Sequence, residues 1–370
     1  MIVTPSPLPE GSRERGFVAD LCYSFAVPGT QLRTEPNAAG TLQERLSLRR
    51  VTREAARSTT FAEDVRAGLT ASPKVLQPKY FYDQLGSLLF EAITALPEYY
   101  PTRAEAEILR AHAGEIVEAL GGPVWLLELG SGDGQKTRLM IEALLARQGT
   151  LEYVPLDISA SAVETSSRSL LFSYPGLRIT GYIGEYHAAL HAVREDRAAP
   201  GRTLVLFLGS TLGNLDPEER PVLLRAVRDL LHPGEGFLLG TDLKKSESVL
   251  IPAYDDALGV TAAFNLNLLA RINRELGGEF DLKTFRHRAR YNPEEGRVEM
   301  HLESRRAQTV AIRSLGIEVP FAEGETIHTE NSYKFDLGQI AALAAATGFE
   351  VRRTWTDSEG RFASSLLVAR

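Results

Sequence analysis

From residue 124 to residue 242 the chain repeats one rhythm: a short apolar run, a helical pattern, then another apolar run. VWLLEL, EYVPLD, LRITGYIG, RTLVLFLGS and GFLLGTD have the length and composition of strands. Segments such as TRLMIEALLARQ and PEERPVLLRAVRDLL lie between them and space their apolar residues as helices do. Strands that alternate with helices fold as a parallel sheet with helices on both faces. At the first strand-to-helix turn stands ELGSGDGQKT, Glu128 to Thr137. Glycines there let backbone approach a ligand, and the helix N-terminus offers unpaired N–H groups. This is a turn for a nucleoside cofactor. The dinucleotide fingerprint wants glycine at the sixth place, where this loop has Gln135, so a dehydrogenase is disfavoured.

Composition bounds the partner. A chain of 370 residues with 44% apolar content is long enough for two domains. With 41 basic against 48 acidic residues the net charge is -7, which disfavours nucleic acid and anionic membrane and favours a small molecule. No signal pattern opens the chain and no apolar stretch approaches bilayer length, so neither export nor insertion is expected. The single cysteine, Cys22, excludes an intrachain disulfide framework and a multi-cysteine metal centre; it fits a reducing compartment, and the cytoplasm is expected. His187 and His191 have the i, i+4 spacing of metal ligands but lack a zincin glutamate and a third ligand cluster, so no metal is expected. Arg286, Arg288 and Arg290 alternate as one exposed strand face would. Nothing demands an oligomer, and a monomer is expected.

Residues 1–60 mix Pro, Gly, Ser, Thr and Arg and read as a loosely ordered extension, with a possible helix over TLQERLSLRRVTREAARS. Helical patterns follow at TFAEDVRAGLTASP, at GSLLFEAITAL with Ser87 as N-cap, and at TRAEAEILRAHAGEIVEALGG with Thr102 and Glu105 in capping-box spacing. After Asp242 the rhythm breaks into a helix, AYDDALGVTAAFNLNLLARINREL, and strands joined through NPEEGR. A final helix and two strands, DLGQIAALAAATGFEVRRTWTDSEGRFASSLLVAR, complete the sheet. The expected fold class is α/β. Its expected domains are a substrate-binding α+β domain from 61–101 and 245–334, and a nucleotide-binding domain from 102–244 and 335–370.

Glu128-Leu-Gly-Ser-Gly-Asp-Gly resembles the E/D-x-G-x-G-x-G loop of class I (Rossmann-like) S-adenosylmethionine-dependent methyltransferases, and the terminal hairpin resembles the reversed strands that close their sheet. The resemblance implies S-adenosylmethionine as cofactor, S-adenosylhomocysteine as its product, and a cofactor site at Gly130, Ser131, Gly132 and Lys136. Asp157, ending YVPLD, has the carboxylate to accept both ribose hydroxyls. Glu185 and Tyr186, after the third strand, are placed to meet the adenine edge and face.

Longer motifs narrow the acceptor. KYFYDQLGSLLFEAITALPEYYPTRAEAEIL, FLGSTLGNLDPEE, GTDLKKS, AYDDALGVTAAFNLNLLARINREL and ENSYKF occur in one order over residues 61–370. Together they resemble the histidine-specific N-alpha-methyltransferases of ergothioneine biosynthesis. This implies that Tyr99, Asn214 and Tyr254 hold the carboxylate of L-histidine, with Gly209 and Thr211 in the adjoining loop. It also implies that Glu330 and Ser332 hydrogen-bond the imidazole, that Met300 packs beside the ring, and that Tyr82 lies near both cofactor and reacting nitrogen. The implied reaction is successive transfer of three methyl groups to the alpha-amino nitrogen, giving hercynine. A carboxylate accepts from an imidazole N–H and a hydroxyl serves either ring nitrogen, so the residue types suit that ring. The loop departs from the family in carrying Asp133 and Gly134 after its second glycine, and Glu185 stands where aspartate is common. Alternatives are an N-methyltransferase for another amino acid such as tryptophan, or a cofactor-binding protein without activity.

Overall fold

A computed structural model describes residues 42–51, 60–196 and 201–370. Its strands are β1 (Leu46–Arg50), β2 (Lys74–Val75), β3 (Val124–Leu129), β4 (Leu151–Asp157), β5 (Leu177–Ile183), β6 (Arg202–Phe207) and β7 (Gly236–Asp242). There follow β8 (Phe285–Asn292), β9 (Arg297–Ser304), β10 (Gln308–Ile312), β11 (Ile317–Phe321), β12 (Thr326–Tyr333), β13 (Phe349–Thr356) and β14 (Phe362–Ala369).

The larger sheet has eight strands in the order β1-β5-β4-β3-β6-β7-β14-β13. Its strands are parallel through β7, while β14 runs antiparallel to both β7 and β13. Every residue of β3 is buried, as the middle of a sheet covered on both faces requires. One apolar cluster packs on each face, around Leu127, Phe207 and Phe349 on one and Ile108, Met140 and Leu206 on the other. The parallel order with a reversed terminal hairpin is the class I methyltransferase arrangement. Because β4 and β6 flank β3 on opposite sides, the strand order reverses there, and a crevice opens at the carboxyl ends of these strands.

A second sheet, β2-β12-β9-β8, carries the insertion together with the β10-β11 ribbon. Helices Phe61–Thr70, Gln84–Thr94 and Val260–Leu276 share one apolar cluster with it, including Leu69, Phe81, Phe264, Ile272 and Leu302. Each such large side chain contributes about 1.5–3 kcal/mol on burial, which fixes this layer as a unit. The insertion leaves and re-enters beside itself. Phe335 N–H donates to the Asp242 carbonyl at 2.9 Å and Lys244 N–H to the Phe335 carbonyl at 2.8 Å.

Three local expectations resolve differently. Of the helix read over residues 41–58, the described residues are helical at Leu42–Arg45, after which Leu46–Arg50 becomes an edge strand parallel to β5; residues 41 and 52–59 lie outside the described ones. Leu46 and Leu48 alternate toward the sheet, and the open edge of β5 rewards that period over the helical one. Helix Gln84–Thr94 is capped by Asp83, which accepts the Gly86 N–H at 2.7 Å, while Ser87 is interior. Helix Tyr100–Leu120 starts ahead of Thr102 with Pro101 in its first turn, and Glu105 turns inward, fully buried, instead of capping.

Candidate active site

The glycine loop descends from β3 with Gly130, Gly132 and Gly134 all at positive φ, a backbone path that side chains with a Cβ resist. A Cβ on Gly130 would lie 2.8 Å from the Tyr186 hydroxyl, whereas one on Gly132 would meet open space. Asp157, at the end of β4, accepts the Gly132 N–H at 3.0 Å and the Ser159 N–H at 2.9 Å. Burial lifts its carboxyl above the ordinary range, partly offset by these amide bonds. Ser131 Oγ is buried with no hydrogen-bond partner. An orphaned hydroxyl, an uncovered glycine face and a half-buried carboxylate on neighbouring strand ends fit the polar groups of an S-adenosyl amino acid.

Beneath the loop, fully buried Glu105 ion-pairs with Lys136 and accepts the Gly209 N–H at 2.8 Å. One carboxylate thereby ties the cofactor loop after β3 to the loop after β6. The Lys136 amine is engaged by Glu105 rather than displayed. Glu185 is exposed, with its carboxylate 3.9 Å from Lys79 Nζ.

After β6 the backbone turns sharply: Gly209 and Ser210 both have positive φ, 74° and 59°. Strain at a serine is tolerated here because Ser210 Oγ accepts the Asp242 N–H at 2.9 Å. The Thr211 hydroxyl returns to the Leu208 carbonyl at 2.9 Å. A Cβ on Gly213 would sit 2.6 Å from the Tyr333 carbonyl, so only glycine lets this turn press against β12. The approach delivers Asn214, whose Nδ2 donates to Glu330 Oε1 at 3.2 Å; this side chain does not cap the following helix.

On β12 a bulge between His328 and Glu330 resets the register, and Glu330 then lies directly opposite Met300 of β9. Residues two apart share a strand face, so Glu330, Ser332 and Lys334 point the same way. The Ser332 and Tyr254 hydroxyls are 2.7 Å apart. Burial pushes the Glu330 carboxyl up to about 7, with Lys334 pulling the other way.

Aromatic rings line the space in front. Tyr82 packs edge-on against Phe90 (5.7 Å) and Phe264 (5.9 Å), Phe90 against Tyr99 (6.2 Å), and Tyr99 against Tyr254 (6.3 Å). The Tyr82 phenol is driven well above its ordinary range, by burial first and then by Glu330, Tyr99, Tyr186 and Asp157. The same hydroxyl therefore senses both the Asp157 and the Glu330 corners. It stays protonated at neutral pH, which leaves the hydroxyl hydrogen available for donation.

Phe90, Phe264, Asp242 and Lys334 were not among the residues singled out from the sequence, and Glu105 was read there only as a capping residue. Lys334 was marked by its period-two spacing from Glu330 and Ser332. Glu105 falls on the apolar stripe of Pro101, Ala104, Ile108 and Leu109.

Among the described residues no group of three or more His, Cys, Asp or Glu side chains is arranged to hold a metal, and no helix is long and apolar enough to cross a membrane. His187 and His191 are exposed.

A sheet with a reversed terminal hairpin and a glycine-lined cofactor crevice after β3 defines a class I S-adenosylmethionine-dependent methyltransferase. The model of the SAM-dependent, histidine-specific methyltransferase family matches residues 61–369, and the chain belongs to that family. It is 47% identical over 305 residues to a histidine N-alpha-methyltransferase of Mycolicibacterium smegmatis, covering 82% of this chain and 94% of that one. It is 45% identical over 303 residues to the protein of that name from Mycobacterium tuberculosis, covering 82% and 93%. Among solved structures, the CcbJ methyltransferase from Streptomyces caelestis aligns with a TM-score of 0.42 and 16% identity over 75% of this chain and 98% of that one.

Proposed function

We propose that the protein transfers three methyl groups in succession from S-adenosylmethionine to the alpha-amino nitrogen of L-histidine, giving hercynine for ergothioneine biosynthesis. The observation that carries the reading is the Glu330/Ser332 pair, one acceptor and one hydroxyl on the same face of β12, buried where an imidazole needs both. A polar pocket of this kind rejects apolar rings because its groups would be left unpaired.

When bound, S-adenosylmethionine supplies an electrophilic methyl: each transfer forms an N–C bond, breaks a C–S bond with the electron pair going to sulfur, and yields S-adenosylhomocysteine. Gly130, Ser131, Gly132 and Asp157 would hold it, with Tyr186 and Glu185 toward the adenine and Lys136 steadying the loop through Glu105. Tyr99, Asn214 and Tyr254 would hold the histidine carboxylate, with Gly209 and Thr211 shaping the turn beside it and Met300 against the ring. Tyr82 would direct its hydroxyl at the reacting nitrogen. A free alpha-amino group has a pKa of about 8 or somewhat higher, so part of the substrate is already neutral; the methylammonium left by each of the first two transfers gives a proton to water before the next. Positioning then provides most of the acceleration. Aromatic faces near the reacting nitrogen would favour the increasingly cationic product by about 0.5–2 kcal/mol.

This reading makes residues 61–101 and 245–334 a substrate-binding domain and residues 102–244 and 335–370 the methyltransferase domain, which the separate apolar cluster around Phe264 and Leu302 supports. A cytoplasmic monomer is inferred with it, favoured by the lone cysteine and by a site built within one chain. Incubating the protein with S-adenosylmethionine and single amino acids, followed by mass spectrometry, tests the proposal. Trimethylated histidine is expected. Methylation of tryptophan or another amino acid instead would discard the ring pocket, and no product would favour a binding protein.

A further inference from the structure

We propose that Lys334 is a positioning residue that directs the Tyr254 and Ser332 hydroxyl hydrogens into the substrate cleft and so sharpens the choice of ring; this rests on the assignment of Glu330 and Ser332 to ring recognition. The Lys334 side chain is fully buried. Its Nζ lies 2.9 Å from Asp242 Oδ2, 2.7 Å from the Tyr254 hydroxyl and 2.8 Å from Ser332 Oγ. A lysine ammonium has three hydrogens to donate and accepts none. Those three contacts use all of them, and both hydroxyl oxygens accept.

Neither hydroxyl can therefore aim its own hydrogen at Lys334. Each is confined to the other hydroxyl, 2.7 Å away, or to the cleft. A ligand carrying two acceptors, a carboxylate oxygen and a bare ring nitrogen, draws both hydrogens outward while Lys334 continues to satisfy the two oxygens behind. Glu330, on the same face, takes the ring N–H. The corner thus complements a neutral imidazole, and a ring with an N–H but no bare nitrogen leaves one donor unpaired.

The ammonium is itself held from behind. Asp242 accepts the Tyr100 hydroxyl at 2.9 and 2.8 Å and is contacted by Lys245, whose Nζ also donates to the Tyr100 hydroxyl at 2.8 Å. This ties the direction of two substrate-facing hydrogens to the point where the insertion rejoins the main sheet.

The test compares L-histidine with a pyrrolylalanine, which keeps the ring N–H but has CH in place of the bare nitrogen. kcat and KM for each are measured on the wild type, on Lys334→Met, and on Lys334→Met/Asp242→Asn, which removes the partner charge as well. Loss of one directed hydrogen bond should cut the preference for histidine about tenfold, mostly through KM for histidine, with S-adenosylhomocysteine affinity within about threefold of wild type. A preference that survives unchanged, whatever the fall in absolute rate, would overturn the proposal and make Lys334 a structural residue. If thermal melting shows the single variant unfolded, the double variant decides by the same ratio; failure of both to fold also overturns it. Absence of histidine methylation by the wild type would instead bring down the functional reading beneath it.

Discussion

Replacing Glu330 with alanine separates substrate recognition from cofactor binding. Above pH 7 the carboxylate is ionised, and hydrogen bonds to a charged group are worth about 1.5–3 kcal/mol. On the proposed reading the substitution removes the acceptor for the ring N–H, and it strands Asn214 Nδ2, which donates to Glu330 at 3.2 Å. At about 1.4 kcal/mol per factor of ten, kcat/KM for L-histidine at pH 8 should fall roughly ten- to a hundredfold or somewhat more. S-adenosylhomocysteine should be nearly unaffected, because Asp157 and the glycine loop lie on other strand ends. Initial rates and calorimetric titration of S-adenosylhomocysteine measure the two effects on one preparation. Equal losses in both would refute the reasoning and show that Glu330 supports the fold or the cofactor rather than the ring.

Other variants isolate other parts of the account. Burial raises the Glu330 carboxyl from an ordinary 4.5 to about 7, so the folded state holds that proton more tightly than the unfolded one; stability falls as pH rises from 4.5 through 7, by roughly 3 kcal/mol. Glu330→Gln should accordingly melt like wild type near pH 5 and higher than wild type at pH 8; an unchanged difference across that range would contradict it. Tyr82→Phe should lower kcat several-fold yet keep the pH dependence of kcat/KM, since the phenol titrates far above the assay range; loss of the rising limb would make Tyr82 the base. Asp83→Ala should cost about 1–2 kcal/mol in chemical denaturation because a cap is lost, and Ser87→Ala less than about 0.5 kcal/mol; the reverse order would restore Ser87 as the cap.

Much of this arrangement was legible because its elements depend on local pattern. VWLLEL is a short apolar run bounded by glycine and proline, the pattern of a buried strand, and GSGDG supplies the glycines of a strand-to-helix turn with free amides. β1 was not legible, because LSLRR has leucines compatible with either period and only the open edge of β5 decides between them. Glu105 was misread for a related reason: capping-box spacing is a local signal, whereas its burial follows from Lys136 and the Gly209 amide converging from two distant loops. Lys334 lay in plain view, two residues beyond Ser332, but its partner Asp242 is brought to it only when the insertion closes on itself. Asn214 was placed at the correct strand end, yet its bond to Glu330 depends on a turn that glycine at 213 allows to touch β12.

The most direct test of the central claim is to supply deuteromethyl-labelled S-adenosylmethionine with L-histidine and locate the label by tandem mass spectrometry. The account predicts three labelled methyl groups on the alpha-nitrogen and none on the ring, because Glu330 and Ser332 hold the ring nitrogens away from the reacting centre. Label on a ring nitrogen would mean that histidine binds the other way round, and the assignment of the Glu330 and Tyr99 corners would have to be reversed.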